Sequence, residues 1–161
     1  MDFRSKLLTF ETLPAWRRSV RDQGLRLVVT NGCFDLLHLG HVTYLEAARN
    51  LGDALLVGLN SDTSVRIIKG PSRPVNCETD RASVVAALES VSAVCVFGEP
   101  TALRLLELVE PDIYAKGGDY TVETINQDER RLVERLGGRV AVIGGVPGRS
   151  TTAVLSRTAT H

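Results

Sequence analysis

Apolar, β-branched runs recur along this chain, and stretches with a helical repeat separate them. The runs cover residues 25–30, 54–60, 93–97, 113–115 and 139–143. The stretches between them repeat apolar residues every three or four positions, as in Val42, Leu45 and Ala48; Val84, Val85 and Leu88; and Leu103, Leu106 and Val109. Strands that alternate with helices predict a single α/β domain, in which a doubly wound sheet of five parallel strands carries helices on both faces.

A further helix is predicted ahead of the first run. Thr12 has a typical N-cap side chain and Pro14 falls in the first turn, so this helix runs towards Arg21. We assign residues 1–24 to this accessory helix and residues 25–161 to the body of the domain. The longest irregular segment, residues 69–79, contains two prolines and suits a mobile lid over a substrate.

Composition limits the partners and the location. Nineteen basic and nineteen acidic side chains balance, which leaves no cationic footprint for nucleic acid or for an anionic membrane. No apolar run approaches the roughly 18 residues of a membrane span, and the first residues lack a signal-peptide core, so we expect a cytoplasmic protein. Three cysteines without Cys-x-x-Cys spacing indicate reduced thiols rather than disulfides or structural zinc.

Ligands of open parallel sheets bind beyond the carboxyl ends of the strands. The segment that follows the first run, residues 30–41, contains two of the three histidines of the chain. It holds His38 and His41, whose spacing places both on one side of a helical turn. The unpaired N–H groups of a helix start attract anions, and Gly40 would let a phosphate approach the backbone. The segment therefore predicts a phosphate site. A packing or capping role is the competing interpretation, and zinc would need further ligands.

Three other segments carry candidate ligand groups. After the second run come Lys69, Arg73 and Arg81. Lysine and arginine side chains can grip phosphate oxygens, although lone cations often only solvate a surface, and Arg81 could instead pair with Glu78 or Asp80.

The remaining segments follow the fourth and fifth runs. Residues 116–120 read Lys-Gly-Gly-Asp-Tyr, and two glycines there would allow the backbone to contact a flat ring, although an ordinary turn also explains them. Ser150, Thr151 and Thr152 resemble an N-cap whose hydroxyl and N–H groups form a second anion site, or a helix cap alone.

The pattern Asn31-Gly32-x-Phe34-Asp35 followed by His38-x-Gly40-His41 resembles the signature of the cytidylyltransferase-like nucleotidyltransferases. Residues 30–35, 72–76, 116–120 and 150–152 resemble, within that superfamily, the adenylyltransferases of the ADP-heptose pathway. The resemblance implies a Rossmann-like fold and the transfer of AMP from ATP to D-glycero-D-manno-heptose 1-phosphate. One departure is Ala153, which stands where many relatives carry Lys.

The resemblance also implies roles for individual residues. The expected catalytic residues are His38, His41 and Lys69. The expected nucleotide-binding residues are Asn31, Gly32, Cys33, Phe34, His38, Gly40, His41, Lys116, Gly117, Gly118, Asp119, Ser150, Thr151 and Thr152. The expected substrate-binding residues are Asp35, Asn60, Arg73, Asn76 and Arg81. Mg²⁺ is expected to enter with ATP and to be bound by phosphate and water rather than by dedicated protein ligands. We also allow for a homodimer.

Two other functions remain open at this point. One is a glycerol-3-phosphate cytidylyltransferase or a similar sugar- or alcohol-phosphate transferase, for which we expect Trp rather than Tyr at the end of the 116–120 segment. The other is a nucleotide-binding regulatory module without turnover, because doubly wound folds often bind nucleotides without reacting them. The chain lacks the Walker loop, the Gly-x-Gly-x-x-Gly turn and the Gly-x-Ser-x-Gly elbow of other enzyme classes.

Overall fold

The computed structural model describes residues 2–118, 120–145 and 155. The strands within these residues are β1 (Leu7–Leu8), β2 (Leu27–Gly32), β3 (Ala54–Asn60), β4 (Ala93–Phe97), β5 (Ile113–Gly118) and β6 (Arg139–Gly144). The helices are α1 (Leu13–Asp22), α2 (Leu39–Arg49), α3 (Asp62–Lys69), α4 (Glu78–Ala86), α5 (Leu103–Val109) and α6 (Gln127–Arg135), and a 3₁₀ turn (Phe3–Lys6) precedes β1.

All strands of the sheet are parallel to their neighbours, in the order β1-β4-β3-β2-β5-β6. From β2 the chain moves outward through β3 to β4, and it later returns to the other side of β2 with β5 and β6. The direction of winding therefore reverses between β2 and β5. In a doubly wound sheet, ligands bind at the carboxyl ends of the strands beside this switch point.

Helices cover both faces of the sheet, as the sequence predicts for a Rossmann-like α/β fold. Buried side chains of α1, α5 and α6 form one core with alternate residues of β2, β3, β4 and β5. Buried side chains of α2 and α4 form a second core with the remaining strand residues. Each central strand is consequently buried on both faces, which explains why β3 reads as an unbroken apolar run.

The predicted number of strands is wrong by one. The additional strand is β1, in which Leu7 and Leu8 pair with Val94 and Cys95 at the edge of the sheet. A strand of two residues is too short to show a hydrophobic pattern in the sequence, so only its pairing with β4 identifies it. β2 begins and ends two residues later than predicted, and β5 continues three residues further, which places Asn31, Gly32 and residues 116–118 in the sheet.

The N-terminal helix forms as predicted, although its cap differs. Thr12 stands at the N-cap position, but its Oγ1 accepts the N–H of Thr9 rather than an N–H of α1. The buried Arg17 of α1 donates from Nε to the Val109 carbonyl at 2.7 Å and from Nη2 to the Glu110 carbonyl at 2.9 Å. These bonds join α1 to the C-terminal end of α5.

Not every position in the predicted helical repeats is buried. Val42 and Val84 are 41% and 53% exposed. Leu45 and Ala48 instead supply the buried face of α2. Among the described residues, no helix has both the length and the apolar character that crossing a membrane requires.

Truncation of Leu106 in α5 should destabilise the fold strongly. Its side chain is fully buried, so Leu106→Ala leaves a cavity and should lower the free energy of unfolding by about 2–5 kcal/mol. Leu108 on the same helix is 36% exposed, and Leu108→Ala should cost less than about 1 kcal/mol. Urea denaturation of both variants measures the difference, and equal losses would contradict the assignment of the buried face.

Candidate functional site

The segment after β2 begins at the switch point with a tight turn. The left-handed backbone conformation falls on Phe34, at φ 43°, rather than on the preceding Gly32. The Phe34 side chain is buried and its ring lies over Gly32, so that a Cβ on Gly32 would stand 2.9 Å from Cε2 of the ring. The glycine therefore makes room for the aromatic ring that holds the turn.

His38 and His41 come together at the start of α2, as their spacing predicts. His38 is the N-cap residue, His41 lies in the first turn, and Gly40 stands between them. The two rings stack with centroids 3.9 Å apart and planes 26° apart, and the Phe34 ring lies 5.3 Å from the His41 ring. This geometry directs two imidazoles and the N–H groups of a helix start towards one region.

The pKa of His41 is lowered from its ordinary value of 6.5 to about 4, chiefly by burial and further by His38, while the Leu36 carbonyl partly offsets these effects. Nδ1 of His41 is buried and has no hydrogen bond of ordinary geometry within the described residues. His41 is consequently neutral at pH 7. A bound anion would favour the protonated form.

Arg81 is buried at the centre of this edge of the sheet. Its guanidinium donates to the carbonyl of Cys33, to the Asn76 carbonyl at 3.0 Å, to the Asn60 carbonyl at 2.9 Å and to Oδ1 of Asp62 at 2.8 Å. It thus joins the turn after β2, the end of β3 and the segment before α4. These contacts give Arg81 a positioning role, and its predicted contact with substrate stays a prediction.

Asp35 ties the segment between α3 and α4 to the turn after β2. Its carboxylate is 1% exposed, accepts from Nε of Arg73 at 2.6 Å and also accepts the N–H groups of Val75 and Asn76. The amide of Asn76 donates in return to the Asp35 carbonyl. The C-terminal half of the predicted lid is therefore anchored, and both oxygens of Asp35 already have protein partners.

Asn60 and Lys69 occupy different environments. Asn60 is buried and donates from Nδ2 to Oγ of Ser64 at 2.9 Å. Lys69 is exposed at the end of α3 and has no hydrogen bond or ion pair among the described residues. The roles of Asp35, Asn60, Arg73 and Asn76 towards a sugar stay predictions, because the described contacts join these residues to the protein itself.

The Cys33 thiol lies close enough to Lys69, Arg73 and Arg81 for their positive charges to affect its pKa. Burial raises the pKa of its thiol, and the charges of Lys69, Arg81 and Arg73 offset this only in part. The thiol is therefore protonated at neutral pH, which does not favour a nucleophilic role.

A buried polar network lies on the other side of the switch point, at the end of β5. Oδ1 of Asn31 accepts from Nζ of Lys116 at 2.8 Å and lies 2.6 Å from the Tyr114 hydroxyl. Oε2 of Glu129 lies 2.8 Å from the same hydroxyl and 3.7 Å from Nζ of Lys116, and the single proton of that hydroxyl is donated to Asn31 or to Glu129 but not to both at once. Burial and Glu129 together raise the pKa of Tyr114 well above its ordinary value.

Tyr114 and Glu129 were missed by the sequence reasoning. Tyr114 is hidden in an apolar strand. Glu129 carries a usable signal, because it lies on the same helical stripe as Ile125, Leu132 and Val133, where a carboxylate predicts a buried partner.

Tyr44 of α2 lies against Gly117 of β5. A Cβ on Gly117 would overlap the Tyr44 ring, whose hydroxyl forms a hydrogen bond of 2.7 Å with Thr30. The flat ring that Gly117 accommodates is therefore a side chain of the protein itself. Gly118, at φ 98°, has open space where a Cβ would be.

The family model for cytidylyltransferase-like proteins matches residues 29–155, a range that includes the histidine pair and the β5 network. The chain belongs to the cytidylyltransferase-like family. This membership indicates a nucleotidyltransferase, and the paired histidines at the start of α2 lie where the family signature predicts a phosphate site.

Among curated proteins, this family member is similar to the bifunctional protein HldE of Methylobacillus flagellatus, with 53% identity over 154 residues, 96% of this chain and 31% of that protein. HldE of Syntrophotalea carbinolica is 50% identical over 157 residues, 98% of this chain and 32% of that protein. The chain thus spans about a third of the length of these relatives.

Solved structures show related folds. The lipopolysaccharide core biosynthesis protein from Thermoplasma volcanium has a TM-score of 0.64 at 28% identity and covers 76% of this chain and 98% of its own. Pantoate-beta-alanine ligase from Francisella tularensis has a TM-score of 0.59 at 14% identity, covering 91% of this chain and 68% of its own. The ligase shows a shared fold alone.

Some predicted residues of this cytidylyltransferase-like chain lie outside the described residues. They are Asp119, Ser150, Thr151 and Thr152. Within the described residues, no group of three or more His, Cys, Asp or Glu side chains is placed to hold a metal ion.

A cavity of about 440 Å³ lies at the opposite edge of the sheet. Its lining includes Arg26, Asp53 and Asp112, which precede β2, β3 and β5. This is the amino edge of the strands, so the cavity is remote from the histidine pair and is not the candidate site of this family member.

Acidification should destabilise the fold through His41. The folded pKa of His41 is about 4 and its ordinary value is 6.5, so between these values the unfolded chain binds a proton that the folded chain excludes. Stability should therefore fall as the pH drops through this window, by at most about 1.4 kcal/mol per pH unit from this residue.

Urea denaturation of the wild type and His41→Asn at about pH 7 and about pH 5 isolates this contribution. The wild type should lose more stability than the variant. Equal losses in the two proteins would show that His41 titrates at its ordinary pKa.

Proposed function

We propose that this chain is an adenylyltransferase that transfers AMP from ATP to D-glycero-D-manno-heptose 1-phosphate, giving ADP-heptose and pyrophosphate. The observation that carries the proposal is the stacked pair of His38 and His41 at the start of α2, beside the switch point of the sheet. The choice of sugar is supported by about 50% identity to HldE proteins over nearly the whole chain and by the motif of residues 116–120.

The proposed reaction is an in-line displacement. An oxygen of the acceptor phosphate attacks the α-phosphorus of ATP, a new P–O bond forms, and the bond to the leaving pyrophosphate breaks. A phosphate monoester is already anionic at neutral pH, so no general base or covalent nucleophile is needed. The protonated thiol of Cys33 is consistent with this direct transfer.

The chain contributes position and charge. His38 and His41 would hold phosphate oxygens and stabilise the negative charge that grows in the transition state. Lys69 is exposed on the last turn of α3, and a flexible ammonium there could follow the phosphates as pyrophosphate forms. Ser150, Thr151 and Thr152 are proposed to supply further donors to the leaving group.

Mg²⁺ bound to the triphosphate would neutralise the pyrophosphate as it leaves. Because the carboxylates of Asp35 and Glu129 already accept hydrogen bonds, phosphate oxygens and water are the ligands that we propose for this ion. The cytoplasmic location and the homodimer expected from the sequence belong to the same proposal.

A screen of pyrophosphate release tests the substrate assignment. Each nucleoside triphosphate is combined with sugar 1-phosphates and with glycerol 3-phosphate, in the presence and absence of Mg²⁺. ATP with the heptose 1-phosphate should give the highest kcat/KM, and omission of Mg²⁺ should abolish turnover. A kcat/KM for CTP with glycerol 3-phosphate equal to or above that value would assign the chain to the cytidylyltransferase branch instead.

Removal of either imidazole should impair the chemical step. His38→Ala or His41→Ala should lower kcat by at least about 100-fold, because each ring is proposed to stabilise charge that develops in the transition state. Circular dichroism should show an unchanged fold in both variants. A normal kcat in a folded variant would move that histidine to a packing role.

A further inference from the structure

The side-chain amide of Asn31 is held in one orientation. Its Oδ1 accepts a hydrogen bond from Nζ of Lys116 at 2.8 Å and lies 2.6 Å from the Tyr114 hydroxyl, whose single proton it shares with Glu129. Both donors lie on the β5 side, so the amide NH₂ group must point away from them. Within the described residues, that NH₂ group donates to no protein acceptor.

Glu129 of α6 contacts both Tyr114 and Lys116. Its Oε2 lies 2.8 Å from the Tyr114 hydroxyl and is the alternative acceptor of that proton, and its Oε1 accepts the N–H of Ala102, the N-cap residue of α5, at 2.8 Å. Glu129 is 3% exposed, and Tyr114 is fully buried. Because α6 carries this carboxylate and α5 fixes its second oxygen, two helices hold the network against the end of β5.

Lys116 faces inward, although the sequence predicts direct contact with the nucleotide. Its Nζ donates to Asn31 and to the Tyr114 hydroxyl, at 3.0 Å, and stands 3.7 Å from Oε2 of Glu129. These three partners match the three N–H bonds of an ammonium group. The Lys116 side chain is 13% exposed, and the nearby carboxylate of Glu129 balances its positive charge within the protein.

We propose that Tyr114, Lys116 and Glu129 are positioning residues that fix Asn31 so that its NH₂ group donates to a phosphate oxygen of the bound nucleotide. The proposal rests on the proposed function, since it assigns the ligand of a donor at the same carboxyl edge as the histidine pair. Tyr114, Lys116 and Glu129 do not touch the substrate themselves. Their effect on turnover passes through Asn31.

A double-mutant cycle tests this route. In the wild type, Tyr114→Phe should lower kcat by roughly 10-fold, within the range of coupled neighbours, and change the KM for ATP by less than about threefold. In an Asn31→Ala background, the same Tyr114→Phe change should have no further effect, because the amide that it positions is gone. Glu129→Gln should behave in the same way.

A role in stability alone predicts a different result. Tyr114→Phe would then lower activity by the same factor in both backgrounds, and that outcome overturns the proposal. Ser92→Ala is the matched control, because it removes the hydrogen bond of 3.0 Å to the Leu55 N–H at the amino edge of the sheet. It should leave kcat unchanged in both backgrounds.

A second measurement does not depend on turnover or on the alanine variant. The two amide protons of Asn31 are assigned in a ¹⁵N–¹H spectrum by their loss in Asn31→Asp, and ATP with Mg²⁺ is then added. Both signals should shift in the wild type and broaden in Tyr114→Phe. Unshifted signals at saturating ATP would contradict the proposal, whereas shifted signals without pyrophosphate release for any acceptor would contradict the proposed function alone.

Discussion

The buried guanidinium of Arg81 is the interaction on which the shape of the candidate site depends. It satisfies the carbonyls of Cys33, Asn60 and Asn76 and pairs with Asp62, so three segments that meet at the carboxyl edge share one donor group. A buried charge is costly unless every partner is in place, and loss of the arginine would leave buried carbonyls unsatisfied. The turn that leads to the histidine pair is therefore held in place by a buried side chain of α4.

Local pattern predicted most of the sheet, because buried parallel strands are continuous apolar runs. β3 and β4 have the predicted bounds, whereas β2 and β5 continue into polar and glycine residues that resemble loop chemistry. There the neighbouring strands extend the hydrogen-bonded ladder, a tertiary effect that no local window contains. The same holds for β1, since Leu7 and Leu8 form a strand only through β4.

Within the site, the spacing of His38 and His41 predicted that their rings lie together. Side chains three positions apart at the start of a helix lie on the same side of the turn, so local sequence is enough to predict the contact. The roles of the charged residues were harder to predict. Arg81 and Asp35 have the chemistry of ligand-binding groups, yet both are buried and bonded to the protein. Arg81 shares a helical repeat with Val85 and Leu88, which is consistent with a buried position, but that repeat does not show which carbonyl groups its guanidinium contacts. Glu129 was also missed, although its place on an apolar helical stripe is a signal that predicts a buried position.

The contact between Tyr44 and Gly117 also bears on how this sequence can change over evolutionary time. The Tyr44 ring of α2 occupies the space that a side chain at position 117 would need, so the size of the residue at position 44 limits the size of the residue at position 117. A large residue at position 44 and a glycine at position 117 therefore pack as a complementary pair beside the switch point. Across homologues we therefore expect them to co-vary, with larger residues at 117 tolerated only where 44 is small, whichever nucleotide base a homologue selects.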